Sequence, residues 1–391
     1  MAIALAGFSV GEAEGLRRAM SRKRSHAALE AYRERFVEGA LRKGVHAETA
    51  DMVYDKLVGF SGFGFPKSHA AAFGLLAYQS AWLRHHHPAE FLCALLNAQP
   101  MGFYPPATLV RDGQRRGVET RPPDVNVSAA KCALENGAVR IGIDYVNGIG
   151  AEDAAAVVAE REQGKPFASV RDLAQRTQLS AHGLETLIVA GACDCFELPR
   201  RQLLWQLGLV PRSQTVPGSG GEEKQLALPL DPTTATPELP EPTVWERMLA
   251  DYRTTNLSVG IHPMELLRAH LPAGVISSRD LENAPDRAQV AIAGMAVARQ
   301  RPATANGVVF MLIEDEFGPV NLIVPPSVYD KHRAIVRSEP LVLARGRFER
   351  IERNQNVLVR SLETLGPLAR RISEETEVGS SLPSAHHFGH R

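Results

Sequence analysis

Along this chain the period of apolar residues changes from helical to alternating and back, and each change marks a different kind of structure. Over residues 1 to 100 the spacing is helical. Ser9-Val-Gly-Glu12 forms a capping box that opens a helix through Met20, residues 25 to 43 continue the period, and residues 68 to 96 predict a long helix interrupted at Pro88. A short helix over 105 to 118 ends before Pro122-Pro123. From Ala129 to Ile143 the period falls to two around the turn Glu135-Asn-Gly137, which predicts a β-hairpin. Val146-Asn-Gly-Ile-Gly150 then leads straight into a helix, and two more helical stretches follow at Ser169 to Thr177 and Ala181 to Ala190, closing with Gly191-Ala-Cys-Asp194. Residues 212 to 243, rich in Pro, Gly, Ser, Thr and Glu, predict a linker, and residues 244 to 269 a helical connector. Five alternating strands follow, at about 289–298, 307–314, 317–324, 340–350 and 355–364, with a helix at 326–336 between the third and fourth.

Five strands with a helix in that place describe an OB-fold barrel, whose face and loops hold single-stranded nucleic acid by stacking and charge. In the fourth strand Val342, Ala344, Gly346 and Phe348 share one face, which makes Phe348 a core residue. Arg345 and Arg347 take the other face. With Arg299, Arg301 and Arg350 they are the candidates for single-strand contact, the alternative being a solvated barrel exterior. Upstream, Gly148, Ile149 and Gly150 place bare backbone N–H groups at a helix start, which suits a phosphate. That segment resembles a helix-hairpin-helix element gripping a duplex backbone, with the two later helices as its degenerate second copy; a plain structural turn fits the same pattern.

Composition narrows this only slightly. Formal charge is zero, from 44 basic and 44 acidic residues, so bulk electrostatics neither advertise nor exclude nucleic acid. The distribution is uneven: residues 222 to 286 hold 11 acids against 5 bases, and residues 287 to 371 hold 13 bases against 8 acids. The barrel region is the basic one. No apolar run reaches the length of a membrane span and no export signal is evident, so a cytoplasmic protein is expected. The four cysteines include a lone Cys193-Asp-Cys195, read as reduced structural thiols, and His85-His-His87 is read as surface because consecutive helical residues diverge.

The stretch from Phe63 to Trp82 carries the most chemistry. Gly62 and Gly64 allow close approach, Pro66 fixes the chain, and Ser68 is a good N-cap, so the free N–H groups of a first turn, the helix dipole and Lys67 converge where a phosphate would sit; the alternative, favoured by these residues alone, is that Ser68 merely caps a core helix and Lys67 is solvated. From Gly59 through Leu96 the chain resembles the end of the fingers domain of bacterial C-family replicative polymerases, the DNA polymerase III alpha type. Leu16-Arg-Arg-Ala-Met-Ser-Arg-Lys23 resembles another fingers motif. Asn97-Ala-Gln-Pro-Met-Gly-Phe-Tyr104 and His386-His-Phe-Gly-His-Arg391 point to the error-prone, damage-tolerant branch.

The resemblance implies a multidomain C-terminal portion of such a polymerase. Its parts would be a helical fingers remnant (1–104), a hairpin with tandem helix-hairpin-helix (105–211), a linker (212–243), a helical connector (244–286), an OB-fold (287–366) and a polar tail (367–391). It further implies that Arg17, Arg18, Lys67, Ser68 and His69 form the positive pocket for an incoming nucleotide's triphosphate. The metal-binding acids of the family lie in a palm domain before the fingers; this chain shows no such cluster, so it is expected to bind no cofactor itself, with Mg²⁺ belonging to the complete enzyme. DNA, duplex and single-stranded, is the implied partner, in translesion synthesis; a stand-alone DNA-binding or scaffold module is the alternative. Gln225-Leu-Ala-Leu-Pro-Leu230 resembles peptides that dock the sliding clamp, through Gln225, Leu226, Leu228 and Leu230. The alternatives are that its leucines fold onto the neighbouring helix, or that an accessory protein of Y-family type reaches the clamp instead.

Overall fold

A computed structural model describes residues 1–21, 26–59, 67–102, 104–210, 237–302, 305–351, 354–374 and 386–388. They fall into two compact units, Met1–His85 and His86–Arg391. The linker peptide 225–230 and residues 62, 64 and 66 lie outside the described residues, and nothing of the Lys67 and Ser68 side chains is described.

The first unit is helical: α1 (Ala2–Ala6), α2 (Val10–Ser21), α3 (His26–Arg42), α4 (Ala47–Gly59) and α5 (Lys67–His86). The predicted capping box is present, with Ser9 N–H donating to Glu12 Oε2 (2.7 Å) and Glu12 N–H to Ser9 Oγ (3.2 Å). Phe8, Leu16, Phe36 and Tyr54 form the core, the last two with ring centroids 5.3 Å apart. Gly39 lets α1 and α3 touch: a Cβ there would lie 2.0 Å from the Ala6 carbonyl oxygen. Helix α5 begins at Lys67, so Ser68 lies inside its first turn rather than capping it. Phe73 and Tyr78 on this helix are 58% and 68% exposed.

The second unit starts with α6 (Pro88–Asn97) and α7 (Pro106–Arg115), so its boundary falls well before residue 104. The physical reason is packing: Leu92 and Leu96 of α6 belong to the same core as Val110, Val139 and Met248. Strands β1 (Thr120–Arg121), β2 (Ala133–Glu135) and β3 (Ala138–Arg140) form a small sheet in the order β1-β3-β2. Its turn is the predicted one, Asn136-Gly137, with φ of 53° and 83°. Helices α8 (Ala151–Gln163), α9 (Val170–Arg176), α10 (Ala181–Val189) and α11 (Arg200–Gly208) enclose a second core around Ile143, Val157, Leu173, Leu187 and Ile188.

The connector divides into α12 (Val244–Thr255) and α13 (Pro263–Leu267), because Asn256 ends the first helix in the left-handed region at φ 58°. After β4 (Val275–Ile276) and α14 (Ser278–Leu281) the barrel begins. Its strands are β5 (Gln289–Gln300), β6 (Val309–Glu314), β7 (Pro319–Val324), then, past α15 (Pro326–Lys331) and α16 (Arg333–Ser338), β8 (Leu341–Ile351) and β9 (Asn354–Thr364). The single helix expected at 326–336 is thus two, broken at His332. The order β5-β6-β7-β9-β8 closes by β8 pairing β5, with β7 and β9 parallel. That is a closed five-stranded barrel of OB type. Phe348 is fully buried inside it with Val342, Ala344, Val357 and Leu322.

The outer side of β5 and β8 is also covered. Ala293, Met295, Leu341 and Leu343 pack against Trp245, Met248, Leu249 and Met264 of α12 and α13, so the connector joins the barrel and the α6–α7 region into one core. The residues expected as a polar tail begin as α17 (Gly366–Glu374), whose Ala369 is buried in that core, and β10 (His386–Phe388) pairs in parallel with Ala298–Gln300 of β5.

Candidate nucleic-acid interface

The hairpin before α8 is built by its glycines. Gly148 has φ of 85°, open to glycine and costly for other residues, and Gly150 is the N-cap of α8. Ile149 N–H donates to the Val146 carbonyl (3.0 Å), closing the turn, and the Ile149 side chain is buried. Of the three candidates, then, the two glycines shape the backbone of the turn, while Ile149 is the anchor that fixes them. The anchor rests on the second copy: a Cβ on Gly183 of α10 would lie 3.1 Å from Ile149 Cδ1. Ser180 caps α10 by accepting from Gly183 N–H (3.0 Å). The start of α10 therefore lies against the turn that opens α8, whose own first turn carries Glu152 and Asp153, the Asp153 carboxylate accepting from Gly150 N–H at 3.5 Å.

One residue that the sequence did not single out joins them. His182 is exposed, and its ring lies 3.6 Å from where a Gly148 Cβ would be. Only contact across the two hairpins reveals it. The hairpin is also tied to the connector, with Asn147 N–H donating to the Thr254 carbonyl (2.7 Å) and Asn147 Nδ2 to that of Arg253 (2.9 Å).

The barrel arginines are placed less uniformly than alternation predicts. Arg345 and Arg347 lie on the outward face, where Arg345 Nε donates to Glu363 (3.2 Å) and Arg347 Nη2 to Glu349 (2.5 Å). Arg301 stacks over Tyr329 with its guanidinium carbon 4.6 Å from the ring centroid. Arg350 Nη2 donates to the Glu282 carbonyl (2.7 Å) and its backbone N–H to Asp286 (2.9 Å), clasping the segment before the barrel. Arg299 is the correction: a solvent-facing contact was expected, and the residue is 4% exposed. A bulge between Ala296 and Ala298 breaks the alternation, and β10 runs alongside. Burial lowers its guanidinium to about 10, its Nη2 donates to the Glu339 carbonyl, and its Nε and Nη1 lack partners.

In the first unit, Arg17 and Arg18 converge on one carboxylate. Arg17 donates to both oxygens of Glu14 (2.8 and 2.6 Å) and Arg18 Nε to Oε1 (3.2 Å). Hydrogen bonds from Arg17 and then Arg18 hold Glu14 down at about 2. So a single anionic group can meet both guanidinium groups, although the helix sets them about 100° apart. His69 is exposed on α5, its ring centroid 4.4 Å from that of Phe73.

All four cysteines are free, and burial raises the thiol pKa of each, to about 11 at Cys132 and about 12 at Cys195. They are poor thiolates. Among the described residues no group of three or more His, Cys, Asp or Glu side chains is placed to hold a metal ion, and no helix is long and apolar enough to cross a membrane.

Two stretches match family models: residues 1–44 the bacterial DNA polymerase III alpha subunit finger domain, and residues 117–203 the helix-hairpin-helix motif. Among curated proteins, the error-prone DNA polymerase of Anaeromyxobacter dehalogenans (strain 2CP-C) is 43% identical over 382 residues, covering 94% of this chain and 33% of that protein. The error-prone DNA polymerase of Corynebacterium efficiens is 40% identical over 93% of this chain and 33% of its own length, and that of Mycobacterium tuberculosis (strain ATCC 25618 / H37Rv) is 43% identical over 89% and 31%. The chain thus spans about a third of the length of these relatives. Among solved structures, asparaginyl-tRNA synthetase from Pyrococcus horikoshii overlaps 23% of the chain at a TM-score of 0.21 and 20% identity, too slight a likeness to bear on fold or function.

Proposed function

We propose that the chain is a C-terminal part of a bacterial DNA polymerase III alpha-type enzyme of the error-prone branch, and that it is the DNA-holding portion of a cytoplasmic translesion enzyme; 43% identity to error-prone DNA polymerases and the finger-domain and helix-hairpin-helix matches support this. The observation that carries the reading is the Gly148–Gly150 turn at the start of α8, packed through Ile149 onto Gly183 of α10 within the stretch that matches the helix-hairpin-helix motif, which favours a duplex backbone held without base readout. The barrel, with Arg345 and Arg347 outward, is proposed to hold the single-stranded template. Arg17, Arg18, Lys67, Ser68 and His69 are proposed to meet the triphosphate of the nucleotide, with Glu14 occupying its place in the free protein. The described residues do not fit a two-metal site, so the ligands of Mg²⁺ are proposed to lie in the palm that the family places before the fingers.

Primer extension tests this reading. The purified chain with Mg²⁺ is expected to add no nucleotide, and joined to the preceding part of a related polymerase it is expected to extend. In that assembled enzyme Arg17→Ala or Arg18→Ala should weaken nucleotide use by about 1.5 to 3 kcal/mol, the worth of a charge-assisted phosphate contact. Extension by the chain alone overturns the proposal, and unchanged nucleotide kinetics in both variants removes the arginines from the pocket.

Duplex binding by the chain is expected to weaken linearly in log affinity against log salt. Gly148→Val should abolish most of it, since a β-branched residue is strained at φ 85° and displaces the hairpin. Equal duplex affinity in that variant, measured by anisotropy, would move the site elsewhere. We also propose that Gln225–Leu230 docks the clamp, because three large apolar side chains in a polar linker gain nothing unless a groove receives them. Gln225→Ala with Leu228→Ala should end co-elution with the clamp at unchanged melting temperature; a lowered melting temperature assigns the leucines to the fold instead.

A further inference from the structure

Beside the duplex-gripping hairpin lies a cavity of about 610 Å³ that none of the foregoing roles uses. It is formed where the end of α6, the loop after it, the turn before α8 and the end of α12 meet. Its volume lies in the range of small-ligand sites. Pro100, Pro105 and Pro106 give it flat apolar surface, and Asn147 and Asn256 give it amides. Lys131 lies at its lining with a 68% exposed side chain, 3.5 Å from Asp144.

The walls are fixed. Asn97 Nδ2 donates to the Cys132 carbonyl (2.8 Å) and Cys132 N–H to Asn97 Oδ1 (3.0 Å), while Gln99 Oε1 accepts from Met101 N–H (3.1 Å). Asn256 Nδ2 donates to Asn147 Oδ1 at 3.4 Å, a long bond that leaves amide capacity for a ligand. Asn147 is the residue directly before Gly148, so the cavity opens next to where a strand backbone would be held. Flat apolar surfaces, paired amide donors and acceptors, and a nearby ammonium are the complement of a nucleotide: ring face, base edge and phosphate.

We propose that this cavity receives one unpaired nucleotide of a DNA strand whose backbone is gripped at Gly148–Gly150, as at a bulge or a frayed mismatch. This deepens the duplex-binding reading above and rests on it. A mismatched or bulged base is already partly unstacked, so taking it out of the helix costs least. An error-prone polymerase's DNA would supply such bases.

The test uses the full chain and three probes: a blunt duplex, the same duplex with a central single-nucleotide 2-aminopurine bulge, and free deoxyadenosine monophosphate. The bulged duplex is expected to bind about tenfold tighter than the blunt one, the worth of burying ~55 Å² of apolar surface against the prolines, with 2-aminopurine fluorescence changing on binding. Lys131→Glu and Asn256→Gly, the latter chosen because glycine accepts the φ of 58° at that position, should bring the ratio of the two affinities to one. Equal affinities in the unaltered chain, with unchanged fluorescence, overturn the cavity proposal and leave duplex binding standing. A preference kept in both Lys131→Glu and Asn256→Gly places the bulge elsewhere and overturns it too. Failure to bind even the blunt duplex overturns the duplex reading itself. Free monophosphate competing away the preference at micromolar concentration would make the site one for free nucleotides and overturn the strand-linked form.

Discussion

Arg115→Ala is expected to destabilise the second unit by about 3 to 5 kcal/mol, the cost of leaving a buried charge without its partner. Arg115 Nη1 donates to Glu314 Oε1 at 2.9 Å, and the Glu314 side chain is 2% exposed. The pair joins α7 to strand β6 of the barrel. Burial raises the Glu314 pKa, and bonds from Arg115 and Thr108 oppose that rise. Removing Arg115 leaves only a hydroxyl and the more distant Arg111 against the desolvation. Glu314 then escapes by taking a proton, so the deficit should be larger at high pH and shrink as pH falls. A carboxylate whose folded pKa is raised weakens the fold as pH rises through that pKa. Urea titrations of Arg115→Ala and of Arg115→Ala with Glu314→Gln check this, since the second variant removes the charge and should recover much of the loss. A deficit that ignores pH, or a double variant no better than the single, would mean that the ion pair is incidental to how barrel and helices are joined.

The contrast between Glu314 and the motifs shows what the chain's linear order exposes. Features set within a few residues were legible: the Ser9/Glu12 capping box, the Asn136-Gly137 turn, the inward face carrying Phe348, and the five strands of the barrel. Each depends on local backbone chemistry or a period of two. What was hidden is contact at long separation. Arg350 holds carbonyls some sixty-eight residues away, His182 meets Gly148 only because two copies of one motif pack together, and α17 is recruited into the core by Ala369. Arg299 was misplaced because a single bulge reversed its side of the strand. The candidate site shows the same division. The glycines at 148 and 150 follow from local chemistry, whereas Ile149's role as anchor on Gly183 does not, and Glu14, lying between Arg17 and Arg18 in space, is visible only once the helix is built.

His262→Asn is expected to gain about 3 kcal/mol of stability relative to the unaltered chain between pH 7 and pH 4. His262 is 1% exposed and caps α13, its Nδ1 accepting from Met264 N–H at 3.1 Å, which leaves Nε2 buried without a partner. Burial, then the cations Arg111, Arg115 and Arg268, lower its pKa to about 3, with Asp315 pulling the other way. The folded pKa lies below the ordinary 6.5, so the unfolded chain takes the proton first. The stability it contributes is therefore full above about 6.5 and is lost as pH falls toward 3. Asparagine keeps the cap and cannot titrate. Asp251 titrates in the opposite sense. Burial raises Asp251 to about 6 from 3.8, despite Arg200 beside it, so its contribution is full below about 4 and is lost as pH rises through 6. The two contributions oppose each other. Relative to the unaltered chain, His262→Asn should accordingly gain stability on acidification and Asp251→Asn lose it, with the double variant between them. Melting temperatures of the four proteins across pH 4 to 7 decide it, and parallel curves for all four would show that both groups bind protons alike in the folded and unfolded chain.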